Sequence, residues 1–229
     1  MTNHCFITGA NRGIGLGLCR DFLASGFHVI AGSRDPEATT LKELGRQYPG
    51  QLSSIKLPMD QLSDIDRAIA GLPADVKFSV VINNAGVCLD YGQRLADLSC
   101  DDLGQSFQVN AIAPVAIVQG LQGHLAPGAK IINISSRLGS QTLNVRGDSY
   151  GYRMSKAALN TVTRCLAAEL DHVITVSLHP GKVQTDMLAP SDDAISVEDS
   201  CRGLMKVISQ LGIEDTGKFY SYLGEEIPW

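Results

Sequence analysis

The chain has 229 residues, 44% of them hydrophobic and 19% charged, with a formal net charge of -5 and a pI near 5.5. This is the composition of a globular protein with a full-sized core, and its acidic balance excludes the basic footprint that nucleic acid or anionic lipid would need. No apolar run approaches the ~20 residues of a membrane span and no export signal precedes HCFITGA, while six cysteines without a C-x-x-C pair or metal-ligand cluster imply reduced thiols, a cytoplasmic setting and no metal.

Six β-rich apolar runs recur along the chain: CFITG, HVIAGS, SSIKL, FSVVINN, AKIINIS and VITVSLHP. Each ends at a polar or glycine-rich turn and is followed by a longer helical pattern, which predicts a doubly wound parallel sheet with helices on both faces. The runs are nearly continuous rather than alternating, so both faces of each strand are expected to be buried. No composition break or repeat divides the chain, and one α/β domain over residues 1–229 is the economical reading. Its ligand belongs in the crevice at the carboxyl ends of the strands.

The first such end reads Thr8-Gly9-Ala10-Asn11-Arg12-Gly13-Ile14-Gly15 and leads into an amphipathic pattern. A strand, tight turn and helix N-terminus with free N–H groups fit the pyrophosphate of a dinucleotide. The turn is T-G-x-x-x-G-x-G rather than G-x-G-x-x-G, whose last glycine would fall on Leu18, and no Gly-Lys-Ser/Thr follows to make a phosphate loop of the Walker type. The second run ends in Ser33-Arg34-Asp35. An acid there binds the ribose 2'-hydroxyl of NAD, whereas an arginine accommodates the 2'-phosphate of NADP. Arg34 with Arg12 as a second cation favours NADPH; the bland alternative is an Arg34–Asp35 surface pair and a solvated Arg12.

Further along, residues 101–121 are expected to form one helix in which the carbonyl of Asn110 faces Pro114, a residue without an N–H. That carbonyl is then either a free acceptor for a water-borne proton path or simply part of a packing kink. The following segment, YGYRMSK, places Tyr152 over Lys156 and Tyr150 over Met154 at helical spacing. An ammonium beside Tyr152 is expected to lower the phenol pKa toward neutrality and make it a proton-exchanging group.

Taken together, these segments resemble the short-chain dehydrogenase/reductase family nearly from end to end. TGANRGIG resembles its cofactor turn (Gly9, Asn11, Arg12, Gly13, Ile14 and Gly15) and LPMDQ its adenine-contacting acid (Asp60, with Gln61). NNAG resembles the motif supporting the central sheet (Asn84, Ala85 and Gly86 toward cofactor), and HPGKVQTDM the segment bringing Pro180, Gly181, Val183 and Thr185 to it. By position, Ser33 stands where NAD-preferring relatives carry an acid. The resemblance implies Asn110, Ser136, Tyr152 and Lys156 as catalytic residues: Ser136 holding a carbonyl oxygen, Tyr152 giving the proton, Lys156 tuning it and holding the nicotinamide ribose, and Asn110 serving a proton path. Tyr152 and Lys156 thus also count among the cofactor contacts.

Ser135 and Ser140 are rivals for the role of Ser136, and Ser136 itself could merely finish its strand. His179 has no G-x-S-x-G partner and reads as a strand-end residue. YRMSKAALN, PGKVQTDM and the closing EEIPW resemble a subgroup around C-factor and the sniffer-like carbonyl reductases. The implied function is NADPH-dependent reduction of an aldehyde, ketone or quinone-like carbonyl, on a small-molecule substrate, by a homodimer or homotetramer. The alternative is a dinucleotide-binding signalling or regulatory protein with little turnover. Residues 137–149 and 187–198 are expected to supply the substrate wall and lid.

Overall fold

Apolar strands joined by helical crossovers build one parallel sheet in the computed structural model, which describes residues 3–185, 187 and 192–229. The strands are β1 (His4–Thr8), β2 (His28–Ser33), β3 (Leu52–Lys56), β4 (Phe78–Asn83), β5 (Leu125–Ile134), β6 (Ile174–His179) and β7 (Phe219–Ser221), in the spatial order β3-β2-β1-β4-β5-β6-β7. Residue alternation on β1 sends Cys5 and Ile7 to one face and Phe6 to the other. On the first face they meet Leu18 and Phe22 of α1 (Gly13–Ala24) and Leu204 and Ile208 of α7 (Val197–Gln210). On the second, Phe6 meets Ile65 and Ile69 of α3 (Leu62–Ala70) and Ile117 and Leu121 of α5 (Ala113–Leu121). Fully burying each such side chain contributes roughly 1.5–3 kcal/mol, which is what holds both helical layers against the sheet. The strand order reverses between β1 and β4, opening a crevice at their carboxyl ends.

The sheet departs from the sequence expectation at its two edges. β3 has only β2 beside it, and Ser53, Ser54 and Lys56 are exposed, so burial on both faces does not extend to this edge strand. β7, at three residues too short to stand out in sequence, pairs with β6 through Ser177, Leu178 and His179.

The single helix expected over residues 101–121 is three segments. After α2 (Thr39–Gln47) and α3, α4 runs over Cys100–Phe107, a π-helical turn covers Gln108–Ile112, and α5 follows with Pro114 in its first turn. The Ala113 N–H donates to the carbonyl of Gln108, five residues back. Pro114 offers no donor to continue the four-residue ladder, and the extra residue of a wide turn lets the helix resume beyond it. α6 (Tyr150–Glu169) lies beside both α4 and the π turn.

Candidate active site

The crevice is a cavity of about 950 Å³. Its floor is the turn between β1 and α1, where Gly9 has φ +66° and an added Cβ would lie 2.9 Å from Ala85 Cα. A Cβ on Gly15 would come within 2.2 Å of the Gly9 carbonyl oxygen, so no side chain fits between them. This turn is stapled to the residues after β4. Thr8 Oγ1 accepts from the N–H groups of Asn84 and Ala85, both at 3.0 Å. Asn84 Nδ2 in turn donates to the carbonyls of Thr8 (2.9 Å) and Gly9 (3.2 Å). Asn11, Arg12, Gly13 and Ile14 line the floor, and Arg12, the N-cap of α1, makes no side-chain cap bond to the helix. The helix N-terminus therefore presents its backbone donors to the cavity.

At the end of the cavity beside β2, Ser33, Arg34 and Asp60 are on the wall. The Ser33 hydroxyl is buried without a hydrogen-bond partner among the described residues, an orphaned polar atom suited to a ribose or phosphate oxygen. Asp35 is turned away: its Oδ1 accepts from the Glu37 N–H at 3.0 Å, in a local turn of its own. Gln61 is not on the wall; it is the N-cap of α3. Ala85, Gly86, Pro180, Gly181, Val183 and Thr185 do line the cavity, whereas Asp186 and residues 188–191, part of the expected lid, lie outside the described residues.

At the other end, Ser136, Tyr152 and Lys156 share the wall. Ser135 donates to Asn160 Oδ1 at 2.7 Å and Ser140 to the Pro228 carbonyl at 2.6 Å, so both hydroxyls are committed elsewhere. Ser136 caps the short turn at Arg137–Gly139 by accepting from the Leu138 N–H, and it hydrogen-bonds the Tyr152 phenol. Tyr150 is not on the wall. Lys156 is buried, donates from Nζ to the Ile134 carbonyl at 2.8 Å, and stands 5.8 Å from the centroid of the Tyr152 ring.

The expected lowering of the Tyr152 pKa is not what this geometry produces. Burial pushes the phenol well up, the Cys88 thiol adds to the rise, and the Ser136 hydrogen bond opposes it only in smaller measure. Desolvation outweighs the lysine because Lys156 suffers the same penalty: burial brings its ammonium down to about 8.

Asn110 is fully buried and does not line the cavity. Its Oδ1 accepts from the Val87 N–H and its Nδ2 donates to the Val87 carbonyl, both at 2.8 Å, with a further bond to Ser155 Oγ at 2.9 Å. The side chain thus ties the loop after β4 to α6.

Two acids escaped the sequence reading. Asp90, 1% exposed, accepts from the N–H groups of Gly151 (2.6 Å) and Tyr152 (3.2 Å) and so caps α6 from a distant loop. Asp148 accepts from Arg153 Nε through its carbonyl (2.8 Å) and from Nη2 through Oδ1 (3.0 Å). Neither has a local spacing that could have marked it. His179 lines the cavity but is no activated base for a serine, since burial and then the Arg137 charge press its pKa down to about 4. Among the described residues, no three His, Cys, Asp or Glu side chains gather as a metal site, and no helix is long and apolar enough to cross a membrane.

A doubly wound sheet with a glycine turn at a helix N-terminus, and a serine, tyrosine and lysine at the far end of the same crevice, defines the class of dinucleotide-dependent oxidoreductases. The short chain dehydrogenase profile matches residues 3–196, and the chain belongs to that family. Among curated relatives, C-signal of Myxococcus xanthus is 41% identical over 154 residues, covering 66% of this chain and 92% of that protein. An uncharacterized oxidoreductase of Schizosaccharomyces pombe is 31% identical over 248 residues, covering 97% and 96%. Two solved structures superpose with TM-score 0.91: the NADPH-bound carbonyl reductase from chicken fatty liver (32% identity, covering 100% of this chain and 99% of that one) and the carbonyl reductase Sniffer of D. melanogaster (30%, covering 100% of both).

Proposed function

We propose that the protein reduces aldehydes, ketones or quinone-like carbonyls with NADPH, and that Tyr152 gives the proton. The observation that carries this reading is the meeting of the Ser136 and Tyr152 hydroxyls on one cavity wall beside the buried Lys156. NADPH supplies the hydride when bound in the cradle. A carbonyl accepting hydride develops negative charge on its oxygen, and Ser136 donates a hydrogen bond to that oxygen. A phenol whose pKa is raised stays protonated at neutral pH and releases its proton only to a stronger base such as the nascent alkoxide. Lys156, near half-ionised at pH 8, replaces that proton and holds the nicotinamide ribose. Asn110 acts through position: it fixes Val87 and, through Ser155, α6.

For the cofactor, Arg12 and Arg34 are the cations that grip a 2'-phosphate, and Asp35 is engaged in its own turn and so does not take the ribose hydroxyl. The NADPH-bound chicken enzyme and a dehydrogenase/reductase from Burkholderia multivorans with bound NADP (29% identity, TM-score 0.89) support that choice. The likeness to C-signal sustains a second reading, a signalling protein with little turnover.

Following NADPH oxidation at 340 nm (~) over a carbonyl panel separates the two. Tyr152→Phe should abolish turnover and spare cofactor binding, Tyr150→Phe should leave both largely intact, and Lys156→Ala should lower both. Turnover that survives Tyr152→Phe, or a wild type that oxidises NADPH with no member of the panel, would refute the catalytic reading.

A further inference from the structure

Beyond the cradle, the charged side chains on the cavity wall are mostly spoken for. Asp148 is bonded to Arg153, and Lys182 to Asp193. Arg146, also on the wall, lies within electrostatic reach of Asp148. Arg137 is different. It directly follows Ser136 beyond the carboxyl end of β5, is exposed on the cavity wall, and its side chain makes no hydrogen bond or ion pair among the described residues. Its placement is set by the backbone, because the turn it opens is capped by Ser136 itself through the Leu138 N–H. Its charge reaches His179 on the neighbouring strand end, which stays neutral and adds no competing cation. The same cavity wall also carries the apolar side chains of Tyr91, Val109, Leu138 and Met187. Tyr91 is 54% exposed, and its ring has no aromatic or cation contact among the described residues.

An uncommitted guanidinium one residue from the group that holds the carbonyl oxygen, beside an apolar wall, matches a substrate with an apolar body and an acidic end. We propose that the carbonyl substrate carries a carboxylate, held by Arg137, with its apolar body against Tyr91, Val109 and Leu138. This rests on the reductase reading above and names the substrate class within it. A planar fork binds the two oxygens of one carboxylate side by side. Because Arg137 is exposed, its contribution is to recognition more than to chemistry, and salt weakens it.

The test compares 3- and 4-carboxybenzaldehyde with their methyl esters, which keep shape and aldehyde but lose the charge, using NADPH as reductant. Wild type should prefer the acids, and raising NaCl should erode that preference. Arg137→Ala should lower kcat/KM for the acids about tenfold, chiefly through KM, while the esters stay within about twofold. Arg137→Lys should fall between them, and NADPH Kd by fluorescence titration should be unchanged. Equal losses for acids and esters, no preference in wild type, or a weakened NADPH Kd would overturn the assignment, the last by placing Arg137 on the cofactor. A wild type that reduces the esters but discriminates against the acids removes the carboxylate alone. One that reduces neither these nor any other carbonyl removes the reductase reading and the inference with it.

Discussion

Asp90→Asn is the substitution whose effect the structure defines most sharply. The carboxylate is 1% exposed and receives two backbone N–H groups at the start of α6, from Gly151 at 2.6 Å and from Tyr152 at 3.2 Å. An asparagine can keep one of these with its carbonyl oxygen, and the shorter one is the natural choice. Its amide nitrogen then faces the Tyr152 N–H, donor against donor. The lost charge-assisted bond is worth about 1.5–3 kcal/mol, and removing a negative charge from a helix N-terminus costs about a further 0.3–2 kcal/mol. A destabilisation near 3 kcal/mol is the reasonable centre, and at ~2–4 °C per kcal/mol for a chain of this size Tm should drop by about 6–12 °C. Stability is only half of the expectation. The orphaned donor belongs to Tyr152, so kcat measured well below Tm should fall by about tenfold while the NADPH Kd barely moves. Thermal unfolding by circular dichroism and steady-state reduction at 15 °C (~) read the two effects separately. A Tm within ~2 °C of wild type would show that Asp90 contributes little as a cap. A lowered Tm with unchanged kcat would show that it stabilises the helix without positioning the tyrosine.

Replacing Arg12 and Arg34 together by alanine should shift kcat/KM discrimination from NADPH toward NADH by about tenfold to a few hundredfold, because solvated charge-assisted bonds are screened; unaltered discrimination would mean that Asp35 or the backbone decides. Pro114→Ala restores an N–H that lets the four-residue ladder run through the π turn, and a one-residue change of register turns Asn110 about 100° away from Val87. Turnover should fall, and a fully active variant whose crystal structure lacks the wide turn would refute the reasoning. For His179 the pKa is depressed to about 4 from 6.5, so the unfolded chain takes up the proton first as pH falls. Its contribution to stability is intact above pH 6.5 and is lost on the way down to about 4, by at most about 3 kcal/mol. Urea titrations of wild type and His179→Asn across that window should diverge, and parallel curves would place the histidine in contact with solvent.

What the sequence made legible was whatever chain geometry enforces locally. The glycine turn could be read because only a missing Cβ permits the contacts at Gly9 and Gly15, and Tyr152 was separated from Tyr150 by helical spacing alone. Pro114 announced a break in the helix, but a missing donor does not say whether the chain answers with a kink or a wider turn. The direction of the Tyr152 pKa was misjudged for a different reason: the spacing gives the lysine, whereas desolvation is set by everything packed around the pair. Asp90 was out of reach, since it meets Gly151 across 61 positions and stands in a loop without periodicity. The edge position of β3 likewise depends on which strand finds no second neighbour, which composition does not tell.

The loop after β4 explains how these separate pieces become one site. Asn84 and Ala85 bind Thr8 and so fix the phosphate cradle on β1. Val87 is held on both of its backbone groups by Asn110, which locks the loop to the π turn and, through Ser155, to α6. Asp90 then reaches the first turn of α6 and the backbone of Tyr152 itself. Gly86 stands between these anchors, where an added Cβ would lie 3.2 Å from Asn110 Oδ1 and 3.5 Å from Lys156 Nζ. Each anchor is a hydrogen bond of modest net value, about 1 kcal/mol when neutral, yet they act in series on one short backbone segment. The sheet itself holds the body of α6, through Lys156 Nζ to the Ile134 carbonyl, Ser135 to Asn160 and Asn133 to Thr163, and the loop after β4 adds the ties at the first turns of α6. The wide helical turn and the buried acid carry those ties, one through Asn110 to Ser155 and the other through Asp90 to the backbone of Gly151 and Tyr152.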